Sequence, residues 1–162
     1  MSHKKIKKLK QLLKIRIELK KQGKKVVFTN GCFDILHRGH IECLRKARSF
    51  GDILIVALNS DSSVRKIKGE KRPILSQNDR AEIIASLEMV DYVLIFNQET
   101  PQKIVAHLVP DVLVKGGDYT KDDIVGKDIV ESSGGRVVRV KKIPGRSTKN
   151  IIRKIINRYA GA

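Results

Sequence analysis

One stretch, VVFTNGCFDILHRGH from Val26 to His40, constrains the fold of this chain more than any other. Val26–Thr29 is a β-branched and aromatic run of the kind found in strands covered on both faces. Asn30–Gly31 breaks it, and a helix is predicted from about Gly39 to Phe50, ended by Gly51. His37 and His40 fall at the start of that helix with Gly39 between them, where the absence of a Cβ allows a close approach. A helix start presents unpaired N–H groups and the positive end of the helix dipole, so anions bind there readily. Two imidazoles at such a place make a site for a polyphosphate.

Beyond this turn, β and α signals alternate. Strands are predicted at Asp52–Leu58, Tyr92–Phe96, Val112–Lys115 and Arg136–Val140. Helices are predicted over Ser76–Glu88, where Ser76 and Asp79 form a capping pair, and over Thr100–Leu108, with Pro101 in the first turn. Two more are predicted near Asp122–Glu131 and from Ser147 to Tyr159, and Asn59–Arg72 reads as a loop with one helical turn. The alternation predicts an α/β fold, a Rossmann-like doubly wound parallel sheet of five strands, with ligands at the carboxyl ends of the strands. At 162 residues the chain is one domain behind an N-terminal extension, residues 1–25 and 26–162.

That extension concentrates the charge. Residues 1–25 hold eleven lysines and arginines against Glu18 alone, so +10 of the net +17 sits there. Ile6, Leu9, Leu13 and Ile17 recur at helical spacing among the cations, which describes a basic amphipathic helix. Its apolar face is expected on the chain's own sheet layer or on a two-fold partner as a homodimer. Without aromatic stacking residues beside the lysines, a solvated basic face is favoured over a nucleic-acid arm. No apolar run approaches the ~20 residues a bilayer needs, and a cytoplasmic location is expected. Cys32 and Cys43 lack zinc-site spacing and read as reduced thiols.

The segments after the predicted strands supply the inventory of a nucleoside triphosphate site: Thr29–Asp34, then Asn59–Asp61 with Arg65, Lys66 and Lys68, then Lys115–Tyr119, and Gly145–Asn150 before the last helix. Asp34 has two readings, a turn residue bonding its own backbone or a ligand group. No Walker A loop or dinucleotide fingerprint is present, which leaves the histidine turn as the phosphate site.

The HxGH spacing after a strand resembles the signature of the nucleotidyltransferase superfamily, shared with class I aminoacyl-tRNA synthetases. The segments GCFDILHRGH, VALNSDSSVRKIKG, RPILSQNDRAEIIASLEMVDYVLIF, PDVLVKGGDY and STKNII extend that resemblance over nearly the whole chain from Val26. They look like the adenylyltransferases of ADP-heptose synthesis, which supply the activated sugar for lipopolysaccharide cores and which many bacteria fuse behind a ribokinase-like kinase. The resemblance implies a HUP-type domain over 26–162, with ATP and a sugar 1-phosphate as substrates and Mg2+ as cofactor. It also implies roles for particular residues. His37 and His40 would bind the triphosphate and stabilise the transferring phosphoryl group, and Lys46 would be a basic residue near the phosphates. Thr29, Gly31, Cys32 and Phe33 would lie against the nucleotide, with Asp61 and Arg80 at the second loop. Lys115, Gly117 and Asp118 would lie near the nucleoside. Ser147 and Thr148 would receive the β and γ phosphates, with Lys149 standing where the family usually has a second threonine.

Two alternatives stand beside this reading. A cytidylyltransferase acting on glycerol phosphate or a phosphorylated amino alcohol is disfavoured by Lys142–Ile143–Pro144–Gly145, which keeps only the glycine of that group's usual run. An RNA-binding module is disfavoured because no synthetase-like KMSKS segment is present. No protein metal site is expected.

Overall fold

The computed structural model describes residues 2–117, 120, 123–141 and 143–160. Expectations for Asp118, Tyr119 and Lys142 lie outside the described residues. A short 3-10 turn, Ser2–Lys5, precedes α1 (Leu9–Lys21), β1 (Val26–Gly31), α2 (Arg38–Arg48), β2 (Ile53–Asn59) and α3 (Asp61–Lys68). Then follow α4 (Gln77–Ala85), β3 (Tyr92–Phe96), α5 (Gln102–Leu108), β4 (Val112–Gly116), α6 (Lys127–Ser132), β5 (Arg136–Val140) and α7 (Thr148–Tyr159). All five strands pair in parallel, in the order β3-β2-β1-β4-β5. The chain therefore reverses its direction of winding between β1 and β4, and the expected doubly wound sheet is the observed one.

Alternation along the strands divides the core into two layers. Val26 and Phe28 of β1 and Ile55 and Ala57 of β2 pack with Leu12 of α1 and with Ile104, Val105 and Leu108 of α5. Val27, Leu54, Val56 and Leu58 face the other way, onto Leu44 and Ala47 of α2 and Ala81, Ile84 and Ala85 of α4. A sheet buried on both faces needs near-continuous apolar strands, which is what these runs supply. An aspartate stands before each of β2, β3 and β4. The Asp52 carboxylate accepts from the Lys25 N–H, Asp91 from Leu54 and Asp111 from Val26. Each takes a backbone donor at the amino end of a neighbouring strand and so fixes where pairing begins.

The expected loop over Asn59–Arg72 contains a two-turn helix, α3. Ser60 caps it by accepting from the Ser63 N–H, and Val64 is fully buried beneath it. The Ser76 cap is as expected, its hydroxyl accepting from the Asp79 N–H.

The N-terminal helix docks on the chain's own sheet layer, with Leu9 and Leu13 half-buried against the core as apolar spacing suggested, but the face is rotated away from Ile17. Ile6 lies ahead of α1, in a parallel bridge with Val93 of the edge strand β3. Ile17 is 56 % exposed, whereas Leu12 is fully buried. Leu12 and Arg16 form the centre of the buried stripe, with Leu9 and Leu13 beside them, and reading only apolar positions extended it to Ile17 because Arg16 is charged. The Arg16 guanidinium donates to the Leu108 and Val109 carbonyls and to Asp111, the same carboxylate that receives the Val26 N–H. Truncating Leu12 to Ala is expected to cost about 2–5 kcal/mol, because it leaves a cavity beneath β1. Ile17→Ala should change stability by less than about 0.5 kcal/mol. Urea unfolding of the two variants checks this, and equal losses would mean that the helix docks through the other face.

Candidate active site

A cleft of about 710 Å³ opens at the carboxyl ends of the strands, where β1 and β4 diverge. The β1–α2 turn and the adjoining start of α7 form part of its wall, and the β2 side contributes Asn59, Ile67, Lys68, Arg72 and Glu99.

The β1–α2 turn is a stack of rings built on glycine. Phe33 adopts φ +44°, a left-handed conformation that costs a bulky residue energy. A Cβ on Gly31 would lie 2.9 Å from the Phe33 ring, so only glycine leaves room for it. The Phe33 ring lies 5.1 Å from that of His40, and His40 stacks on His37 at 3.8 Å with 21° between planes. Beneath His37, a Cβ on Gly39 would come within 2.9 Å of the imidazole and 3.3 Å of the Arg146 carbonyl oxygen. The space opened by Gly39 is thus filled by the protein itself, and it lets α2 and the segment before α7 approach each other.

Neither histidine Nδ1 has a hydrogen-bond partner among the described residues, although both atoms are buried. Unpartnered buried nitrogens cost free energy and persist mainly where function uses the group. Burial lowers the His37 pKa. His40 is driven to about 4, by burial first and by His37 second, against a smaller opposing pull from Asp34. Both shifts favour the neutral imidazoles.

Two helix starts face the cleft. α2 begins at His37 with no side-chain cap and no acidic residue in its first turn. α7 likewise has no acid there, and its cap is Ser147, whose hydroxyl accepts from the Asn150 N–H. The Thr148 hydroxyl donates to the Ile35 carbonyl at 3.4 Å, which links α7 to the histidine turn. Lys68, Arg72, Lys115, Lys141, Arg146 and Lys149 line the cleft, and Asp34 and Glu99 are its only carboxylates among the described residues. At the floor, Lys115 extends from the end of β4 and donates to the Asn30 side-chain Oδ1 at the end of β1. Burial lowers its pKa. Cys32 and Cys43 line the same floor as free cysteines whose thiol pKa values burial raises, which favours the thiol over the thiolate.

Most residues named from the sequence meet here: Thr29, Gly31, Cys32, Phe33, His37, His40, Lys115, Ser147 and Thr148. Four do not. Lys46 is exposed near the far end of α2, its ammonium 5.5 Å from the Phe50 ring centre. Arg80 is 1 % exposed and donates to the Cys32, Leu75 and Asn59 carbonyls and to Asp61, so both charges are spent in tying the loops after β1 and β2 together. Gly117 donates its N–H to the Val140 carbonyl and lies behind Gly116, which does line the cleft. Asp34 proves to be neither a local turn former nor an open ligand group. It is 1 % exposed and receives the Arg72 guanidinium and the Ile74 and Leu75 N–H groups. Burial alone would raise its pKa, but these donations outweigh it and hold the carboxyl below its ordinary value. Arg72 and Glu99 were missed. Arg72 stands in the quoted RPILS segment, but nothing in that segment says which way an arginine points.

Fold and cleft together define a nucleotidyltransferase: an open parallel sheet with its HxGH turn and a second helix start facing one cationic cleft. The family model described as cytidylyltransferase-like matches residues 28–159, and the chain belongs to that family. It is 56 % identical over 155 residues to the bifunctional protein HldE of Geobacter sulfurreducens, covering 96 % of this chain and 32 % of that protein. It is 54 % identical over 150 residues to HldE of Aliarcobacter butzleri, covering 93 % and 31 %. The chain thus spans about a third of the length of these curated relatives. Among solved structures, the lipopolysaccharide core biosynthesis protein of Thermoplasma volcanium superposes with a TM-score of 0.65 at 32 % identity, covering 75 % of this chain and 99 % of that one. Pantoate-beta-alanine ligase of Francisella tularensis (TM-score 0.61, 16 % identity, 97 % and 79 % covered) shares the fold alone.

Gly39→Ala should lower turnover at least tenfold while melting within a few degrees of wild type, because the added methyl displaces His37. An unchanged rate would show that the ring position is immaterial. The histidine pair also predicts a pH dependence of stability. An unfolded histidine takes up a proton near pH 6.5, whereas folded His40 does so only near 4. Stability should therefore fall as pH drops through this window, by up to about 1.4 kcal/mol per pH unit for His40. Denaturant titrations of wild type and His40→Gln check it: the variant should lose most of that slope.

Proposed function

We propose that this protein transfers AMP from ATP to a sugar 1-phosphate, with heptose 1-phosphate the favoured acceptor, releasing pyrophosphate and ADP-heptose for lipopolysaccharide core synthesis. The observation that carries this reading is the stacked His37–His40 pair at one helix start, its buried Nδ1 atoms unpartnered among the described residues, beside the Ser147–Thr148 start of α7 in a cationic cleft. The choice of base and acceptor rests on the resemblance and on the similarity to HldE and to the Thermoplasma protein.

The chemistry is governed by charge. The acceptor's phosphate oxygen is already an anion, so it attacks the α-phosphorus without a general base. The bond from that phosphorus to the β-phosphate oxygen breaks, and pyrophosphate leaves with the electron pair. The obstacle is repulsion between two polyanions. The imidazole N–H groups, the α2 and α7 backbone amides and the lining cations offset that repulsion and hold the in-line geometry. Mg2+ fits this site as an ion carried in by the triphosphate. Asp34 is fully engaged by donors, and Glu99 alone among the described lining carboxylates is not bonded to protein, so phosphate oxygens and water would complete its shell. When bound, the ion adds charge neutralisation at the leaving pyrophosphate.

A pyrophosphate-release assay with ATP or CTP and a panel of sugar and polyol phosphates tests the reading. Turnover is expected with ATP, Mg2+ and heptose 1-phosphate. Replacing His37 or His40 by Ala should cost about a hundredfold, on the order of 3 kcal/mol of transition-state stabilisation, in a protein that keeps its circular dichroism. Equal rates with CTP, or near-normal turnover in either variant, would overturn it.

A further inference from the structure

The Asp34–Arg72 pair is absorbed neither by the histidine stack nor by the α7 helix start. The Asp34 side chain is fully buried, yet it lies three residues before His37 in the turn that carries the catalytic rings. Its oxygens accept from the Arg72 Nε at 2.5 Å and from the Ile74 and Leu75 N–H groups at 2.9 Å. The segment 72–75 is therefore fastened to the histidine turn at three points. Arg72 is mostly buried, with 18 % of its side chain exposed, and it lines the cleft. With Nε spent on Asp34, the two terminal nitrogens of the guanidinium remain, and neither is hydrogen-bonded to protein among the described residues. A guanidinium held by one edge and open at the other presents a planar fork that matches the oxygens of a phosphate.

Its position decides which phosphate. The α2 and α7 helix starts and the residues from Val140 to Lys149 bound the cleft along the histidine turn and the β5 side. Arg72 stands on the β2 side, with Lys68 and Glu99.

Resting on the reading that the cleft joins ATP to a phosphorylated acceptor, we propose that Arg72 binds the acceptor's phosphate monoester and that Asp34 is the positioning residue that aims it. The phosphate held there supplies the oxygen that forms the new bond to the α-phosphorus as pyrophosphate departs. Because Asp34 and His37 share one short turn, the distance between the held nucleophile and the rings at the reacting phosphorus is set by three residues of chain.

Steady-state kinetics of Arg72→Met, Arg72→Lys and Asp34→Asn, with ATP and heptose 1-phosphate varied separately, test this. Each variant is first checked by thermal melting. Arg72→Met should raise the acceptor KM at least tenfold and leave the ATP KM within twofold. Arg72→Lys, which keeps the charge and loses the fork, should fall between the two and guards against misfolding of the methionine variant. Asp34→Asn should raise the acceptor KM selectively, whereas a merely structural carboxylate would raise both KM values together. A rise in the ATP KM equal to that of the acceptor, or no rise in either, overturns the proposal. A second arm titrates inorganic phosphate into protein saturated with α,β-methylene ATP. Phosphate binding that Arg72→Met weakens tenfold supports the subsite even if heptose 1-phosphate is not turned over, a result that would fault only the acceptor named above. Phosphate binding unaffected by Arg72→Met overturns the subsite.

Discussion

The parallel pairing of β1 with β2 on one side and with β4 on the other is the constraint on which the rest depends. Parallel neighbours cannot be joined by tight turns, so every connection crosses a face of the sheet. The crossings that leave β1 toward β2 and β3 lie on one side of it, and β4 and β5 extend the sheet on the other. The loops at the carboxyl end of β1 and at that of β4 consequently part, and the gap between them cannot be filled by the backbone of either. The histidine turn enters this gap from β1, and Lys115 closes its floor from β4. The aspartates before β2, β3 and β4 act at the opposite end of the sheet, where they fix the register that brings these two ends level.

Much of this was legible in the amino-acid order. Continuous apolar runs marked the strands, and Tyr92–Phe96 and Arg136–Val140 have the limits that the pattern suggested. The polar segments after the strands converge, because topology rather than side-chain chemistry places them together. What was not legible is the difference between a charged group that faces a ligand and one that holds a wall. Arg80, Asp61 and Asp34 occupy positions that a motif marks, but a motif records which residue type recurs at a place, not the direction its side chain takes. All three are bound to protein, whereas Arg72, unremarked in the sequence, is held by Asp34 through Nε and lines the cleft. Arg16 misled in the same way. Pattern reading assigned it to solvent because it is charged, whereas its length lets it cross the buried stripe and reach two carbonyls and a carboxylate.

The composition takes on a different meaning in this light. A chain of net charge +17 suggests an exterior coated with cations. Yet Arg16 and Arg80 are almost wholly buried, and each serves as a multivalent tie between segments distant in sequence. Six more cations are gathered around one cleft. Part of the excess is thus structural, part is local to the site, and the exposed lysines of α1 account for another part. Excess positive charge here is not by itself a sign of a nucleic-acid partner.

One wall of the cleft differs from the others in how it is secured. α7 has twelve residues, none of them buried, and Ile155, Ile156 and Tyr159 along it are largely exposed. Its links to the body of the domain lie at its first residues, through the Thr148 hydroxyl and the close approach of the Arg146 carbonyl to Gly39. A helix of this length is marginal when little packs against it. An anion seated at its amino end would complete the unpaired N–H groups there and oppose the helix dipole favourably. The ordering of α7 and the strength with which the cleft retains an anion are therefore one free energy viewed from two sides. Whatever empties the cleft therefore also removes a support of the helix that walls it.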